Sequence, residues 1–198
     1  MRAVLKRILI LCEDKKSSLL YLKSFKFDEE FRRKLTSVDI EIYQPKDFSP
    51  IGLVTEAKIQ KKRARWDRNP YDQVWIVLDK DQHLKIPEAL RLAEDSNIDY
   101  VLSIVCFEYW VLLHFVQTTR AFYNCSELIK YIIDNYYPDY DKKTNCFNDL
   151  KPKLQTALSN GQWLQKQVAD DFARGVKVHE LSAFTNMHEL VKILLNQG

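Results

Sequence analysis

Gln73-Val74-Trp75-Ile76-Val77-Leu78-Asp79-Lys80-Asp81 decides how this chain is read. Its apolar residues do not alternate with polar ones, so the run fits a strand buried on both faces, as in a parallel sheet, and it stops abruptly in acid. Residues 7–12 repeat the pattern nearer the amino terminus, where Ile8-Leu9-Ile10-Leu11-Cys12 is closed by Glu13 and Asp14. Residues 38–43 are alternating and β-branched, and residues 100–105 supply a fourth strand signal. Amphipathic stretches separate these runs. One begins near Ser17 and carries Leu19, Leu20, Leu22 and Phe25 on its apolar side; the others cover 52–66 and 86–95, where Pro87 suits a first turn. Strand and helix alternating in this order predict an α/β fold, a mostly parallel sheet flanked by helices. Beyond Cys106 the periodicity turns helical over 107–116, 126–136, 147–158 and 186–196, punctuated by Pro138, Pro152 and Gly161. The expected organisation is a single domain over 1–198, with an α/β core to residue 117 and a helical part over 118–198.

Composition removes several function classes. The 198 residues are 46% hydrophobic, enough to bury a core without disulfide or metal staples. The four glycines, Gly52, Gly161, Gly175 and Gly198, are dispersed, which excludes a Walker A loop, a G-x-G-x-x-G fingerprint and a G-x-S-x-G nucleophile elbow. A net charge of +3 permits a polyanionic partner without requiring one. Cys12, Cys106, Cys125 and Cys146 form no C-x-x-C pair and read as reduced packing residues. Without a Cys/His cluster, zinc is not expected. No apolar run is long enough for a signal peptide core or a membrane span, so the expectation is a soluble, cytoplasmic protein with no membrane partner.

The chemistry concentrates where strands end. Glu13 follows the first strand; Asp79 and Asp81 follow the third. In an open parallel sheet the carboxyl ends of the strands line one crevice, so three carboxylates are expected to converge. Two aspartates one residue apart can aim at one hard cation, and Mg²⁺ accepts such sparse ligation because it retains waters and takes substrate phosphate oxygens. The metal would polarise a phosphoryl oxygen and help generate the attacking hydroxide. Glu13 is then a general base or a further ligand. The plain alternative is that these acids cap the helices that follow.

Other candidates gather around this centre. Glu108, in Cys106-Phe107-Glu108-Tyr109-Trp110, opens an apolar helix, where it either completes a metal site, orients a basic side chain or meets the helix macrodipole. His83, two residues past Asp81, can reach a phosphate or a bound water, or stand in solvent. His114 on an apolar face reads as a satisfied core histidine, and Thr185 or Asn186, before His188, as a helix cap. Lys58, Lys61, Lys62, Arg63, Arg65 and Arg68 surround Trp66, a composition suited to a nucleic-acid backbone and a stacked base, or to a solvated helix face. Lys15 and Lys16, directly after Glu13 and Asp14, are better placed to meet phosphate at the acids.

Together, Ile8-Leu9-Ile10-Leu11-Cys12-Glu13, Val74-Trp75-Ile76-Val77-Leu78-Asp79-Lys80-Asp81 with His83, Cys106-Phe107-Glu108-Tyr109-Trp110 through Leu112-Leu113-His114-Phe115, and Thr185-Asn186 with His188 resemble the RloB-like family over nearly the whole chain. The resemblance implies a Toprim-like core, the metal-binding module of topoisomerases, primases and OLD-type nucleases. It also implies association with restriction and abortive-infection loci, often beside an ABC-type ATPase partner. Residue by residue, Glu13 matches the Toprim glutamate and Asp79 and Asp81 match the D-x-D ligands, while Glu108, His83, Asn186 and His188 match further family positions. The Toprim pattern usually has glycine after the glutamate; Asp14 stands there, able to add a ligand or to crowd a phosphate. The expectation is an Mg²⁺-dependent nuclease, with Mn²⁺ able to substitute, cleaving phosphodiesters in DNA or RNA, tRNA included, as the effector of an antiphage system. Homodimerisation is left open. The rivals are a non-catalytic subunit that binds an ATPase partner or nucleic acid, and a nucleotide-using transferase with a D-x-D metal site.

Overall fold

The computed structural model describes residues 6–34, 38–80 and 83–195. Four strands, β1 (Lys6–Cys12), β2 (Val38–Tyr43), β3 (Gln73–Asp79) and β4 (Asp99–Ser103), form one all-parallel sheet in the order β2-β1-β3-β4. The two central strands are the continuous apolar runs. Residues 8–12 are fully buried, as are Ile76 and Leu78, because helices cover both faces and leave no solvent side to demand alternation.

The helices between strands follow from the crossovers. α1 (Ser17–Phe27) and α2 (Glu29–Lys34) connect β1 to β2, α3 (Pro50–Trp66) carries the chain from β2 over β1 to β3, and α4 (Ile86–Asp95) leads to β4. Right-handed crossovers in opposite directions place α1 on one face and the packed pair α3 and α4 on the other. The remaining helices are α5 (Glu108–Leu113), α6 (Cys125–Asn135), α7 (Phe147–Leu150), α8 (Leu154–Gln167), α9 (Ala169–Ala173) and α10 (Met187–Leu195). An aromatic cluster joins them to the α/β part: Tyr21 of α1 meets Phe107 at 5.6 Å and Phe147 at 5.3 Å between ring centroids, and Trp110 meets His114 at 4.9 Å. Among the described residues, no helix is long and apolar enough to cross a membrane.

Three local readings are corrected. The 147–158 helix is broken at Pro152 into a 3₁₀ turn over Lys151–Lys153, yet the following α8 runs straight through Gly161. Gly161 is not punctuation: a Cβ there would lie 2.7 Å from Cβ and Cγ of His188, so the glycine lets α10 approach α8. β4 ends two residues early, because Ile104 N–H turns to donate to Phe184 O (2.7 Å) and Val105 adopts a φ of +77°, a costly conformation for a β-branched residue. Finally, Cys106 and Cys125 are not reduced packing residues; they form a disulfide, while Cys12 and Cys146 are the buried free thiols.

Of the two cap candidates, Thr185 serves α10, its hydroxyl accepting from Met187 N–H (3.3 Å), whereas Asn186 does not cap that helix with its side chain. Its amide oxygen accepts from Leu102 N–H (2.9 Å) and its amide nitrogen donates to Tyr100 O (2.9 Å), so one side chain replaces a neighbouring strand along the outer edge of β4. Thr185 adds an antiparallel bridge to Ser103, and their hydroxyls are 3.0 Å apart. Covering an edge in this way removes a template for unwanted strand pairing.

Candidate acidic site at the strand ends

β1 and β3 are neighbours whose onward connections leave in opposite directions, so a crevice opens beyond their carboxyl ends. Glu13 N–H still donates to Val77 O (3.0 Å), extending the ladder by one residue. The Glu13 side chain then turns across: Oε2 accepts from Asp79 N–H at 2.9 Å, and Oε1 lies 2.9 Å from His83 Nε2. Glu13 is nearly enclosed, whereas the His83 side chain is 45% exposed, so this pair connects the crevice to solvent. His83 is held by its own turn, in which its N–H donates to Lys80 O (3.0 Å).

Asp79, the last residue of β3, has a carboxyl pushed well above the usual carboxylate range by burial and then by the charges of Glu108, Asp14 and Glu13; Lys142 opposes the shift. Four acids brought in by the ends of β1, β3 and the turn after β4 thus share one electrostatic neighbourhood. Asp81, the second aspartate of the D-x-D pair, lies outside the described residues.

Glu108 is completely buried in the first turn of α5. Its Oε1 accepts from Tyr140 O–H (2.9 Å), and its Oε2 lies 3.6 Å from Lys142 Nζ and 3.4 Å from Cys125 Sγ. Burying a carboxylate is costly without such partners. Of the roles considered for Glu108, orienting a basic side chain is the one the contacts match. Burial first, and the Glu108 charge next, push the Tyr140 hydroxyl far up, so it stays a donor. Sequence reasoning missed Tyr140, Lys142 and Cys125: the first two reach the site from a loop with no periodic signal, and Cys125 stands one residue before the helical pattern over 126–136.

Asp14 is a cap. Oδ1 accepts from Lys16 N–H (2.7 Å), and Oδ2 accepts from Ser18 N–H (2.9 Å) and the Ser17 hydroxyl (3.3 Å). It satisfies first-turn donors of α1 that would otherwise be orphaned, and a glycine could not do so.

The basic candidates divide. Lys15 and Lys16 are exposed on the crevice side, with Lys15 Nζ 4.2 Å above the Phe48 ring. α3, in contrast, begins beside the crevice and runs away from it over 17 residues, about 25 Å at 1.5 Å per residue. Its far end lies at the starts of the strands, where Arg7 of β1 bonds Asn69 O and Lys61 Nζ donates to Ser96 O (3.0 Å) and Asn97 O (2.5 Å) just before β4. Lys61, Arg63 and Arg65 therefore do not join the acids. Lys61 terminates α4, and Arg63 lies 3.9 Å from Asp67, while Lys58 is exposed at the middle of α3 and Lys62, Arg65 and Trp66 on its receding half.

His114 is the core histidine expected, with Nδ1 2.9 Å from Trp110 O and burial holding its imidazole down to about 4. His188 is also buried, with Nε2 3.1 Å from Gln165 Oε1 and its ring against Gly161, away from the acids.

Fold and site together define an α/β domain whose parallel sheet gathers carboxylates at its strand ends. Within that class the chain belongs to the RloB-like protein family, whose model matches residues 8–194. A search of curated proteins finds no match.

Proposed function

We propose that this protein is an Mg²⁺-dependent nuclease that hydrolyses phosphodiester bonds in DNA or RNA. In this reading it acts in the cytoplasm as the effector of an antiphage system beside an ABC-type ATPase. The observation that carries the reading is the meeting of Glu13 and Asp79 at the ends of β1 and β3, where Glu13 Oε2 accepts from Asp79 N–H at 2.9 Å and burial, then Glu108, Asp14 and Glu13, push the Asp79 carboxyl up. A hard divalent cation relieves that repulsion, and an all-oxygen donor set suits Mg²⁺ or Mn²⁺. Asp79, Glu13 and Asp81 would hold it, and bound there it would supply polarisation of a phosphoryl oxygen.

The chain's own residues cover the remaining steps. The Glu13 carboxylate holds Nε2 of His83 at 2.9 Å, so the imidazole faces the crevice and can take a proton from an attacking water and release it to solvent. Lys15 and Lys16 offset backbone phosphate charge at the mouth. Glu108 holds Tyr140 and Lys142, and the Lys142 charge opposes the negative charge around Asp79. The test is cleavage of single- and double-stranded DNA and RNA with and without Mg²⁺ by wild type and by Asp79→Ala. Undiminished cleavage by the variant overturns the mechanism.

One observation favours the second reading, a binding subunit without catalysis. Glu13 is committed to Asp79 N–H and His83, and Asp14 to α1, so both acids already serve the fold. That reading predicts no heat of Mg²⁺ binding.

A further inference from the structure

We propose that Cys106, Glu108 and Cys125 form a redox-gated site for a soft divalent cation such as Zn²⁺, closed when the two sulfurs are bonded and open when they are reduced. Their sulfur and carboxylate atoms all lie within 4.8 Å of one another. Cys106 and Glu108 are buried, and Cys125 is the partly exposed member. The cluster is assembled by fold features beyond local spacing. The positive φ of Val105 turns the chain so that Cys106 and Glu108 enter together, and Asn124 caps α6, accepting from Glu127 N–H at 2.9 Å, which places Cys125 in the first turn of that helix.

Two features favour a thiolate at Cys125: the amino-terminal end of the eleven-residue α6 and Lys142 Nζ at 3.6 Å from its sulfur. Lys142 also marks where a cation fits, because the same ammonium lies 3.6 Å from Glu108 Oε2. With its side chain 36% exposed, Lys142 can withdraw to solvent and leave the place to a metal. Two thiolates and one carboxylate are a donor set that Zn²⁺ accepts with a water in the fourth position, and thiolates distinguish this site from the all-oxygen set of Glu13 and Asp79.

Gating balances as thiol exchange. An external dithiol gives two electrons and two protons to the Cys106–Cys125 bond, becoming a disulfide itself and leaving two protein thiols. Zn²⁺ then displaces both thiol protons. Drawing Glu108 onto the metal takes it from Tyr140 and Lys142, so the field at Asp79 changes with redox state. The site stands independently of the nuclease reading.

The test uses the full chain and Co²⁺ as a spectroscopic stand-in. Thiol titration in denaturant should find two reactive thiols, Cys12 and Cys146, before reduction and four after. Reduced wild type, freed of a phosphine reductant, should take one Co²⁺ with a thiolate-to-cobalt charge-transfer band that Zn²⁺ abolishes; the unreduced protein should show none. Cys106→Ser and Cys125→Ser should lose the band, Glu108→Gln should weaken affinity by about tenfold or more, and Asp79→Asn should retain the band, each with an unchanged circular dichroism spectrum. Absence of the band in reduced wild type, or its full strength in the Cys106→Ser/Cys125→Ser double variant, overturns the site. Four reactive thiols before reduction overturn the gating.

Discussion

The two ends of the sheet handle charge in opposite ways. At the starts of the strands, Arg7 is matched by Asp39 at 3.3 Å, Glu41 at 3.5 Å, the Asp72 carboxylate at its own N–H and the Tyr71 ring 4.3 Å beneath it. Lys61 likewise meets two helix-end carbonyls. At the other end, Glu13, Asp14, Asp79 and Glu108 share a neighbourhood in which Lys142 opposes their mutual repulsion, and the Asp79 carboxyl remains far from its ordinary range. Matched charge holds a fold together. Crowded like charge weakens it, and the proposed metal would relieve that crowding.

The strongest way to break that contrast is Asp79→Asn. If the acids are a metal site, divalent-dependent cleavage should fall by about a hundredfold or more, the scale of losing a group that stabilises transition-state charge. The thermal midpoint at pH 7 should nevertheless rise. A carboxyl whose folded pKa is raised binds its proton more tightly folded than unfolded, so above about pH 4 its ionisation costs stability, and the amide removes that cost. A fall in both activity and midpoint would mean that Asp79 serves the fold.

His114 sets the next effect, away from both ends. Its imidazole is held down to about 4 by burial, against an ordinary 6.5. The unfolded chain therefore binds the proton first, and stability present above pH 6.5 is lost as pH falls toward 4, on the order of 3 kcal/mol in full. Denaturant melts at pH 7.5, 5.5 and 4.5 should show that slope, and His114→Gln should flatten it. Gly161→Ala comes third. The new Cβ meets the His188 ring, and the midpoint in urea should report a loss of about 1–3 kcal/mol without change in metal binding.

The smallest effect sharpens the contrast from the basic side. Charge reversal of Lys62 and Arg65 should change cleavage of a short oligonucleotide by less than about twofold, since these residues lie on the receding half of α3. Reversal of Lys15 and Lys16 should cost more. Equal losses would place the substrate along the whole molecule.

What was legible in the sequence was local. β1 and β3 announced themselves as apolar runs closed by acid, and the crevice followed from the rule for strand ends. The partners of Glu108 were not legible, because Tyr140 and Lys142 arrive from about thirty residues away through a loop with no periodicity. Cys106 and Cys125 are separated by 19 residues in no recognisable spacing, so their bond depends on how α5 and α6 pack. The direction of the basic segment was hidden for a related reason. Its composition suits a polyanion, but only the direction of α3 reveals that most of it travels away from the acids. Asp14 was legible as an acid in the place of a glycine and Asn186 as a cap candidate; the first is a cap and the second completes a sheet edge.

The most direct test of the central claim is calorimetric titration of Mg²⁺ into the unreduced protein, where the cysteine pair is closed, comparing wild type with Asp79→Asn. Wild type should bind saturably, and the variant should lose that binding. No binding heat in wild type, or equal binding in both, would contradict the claim.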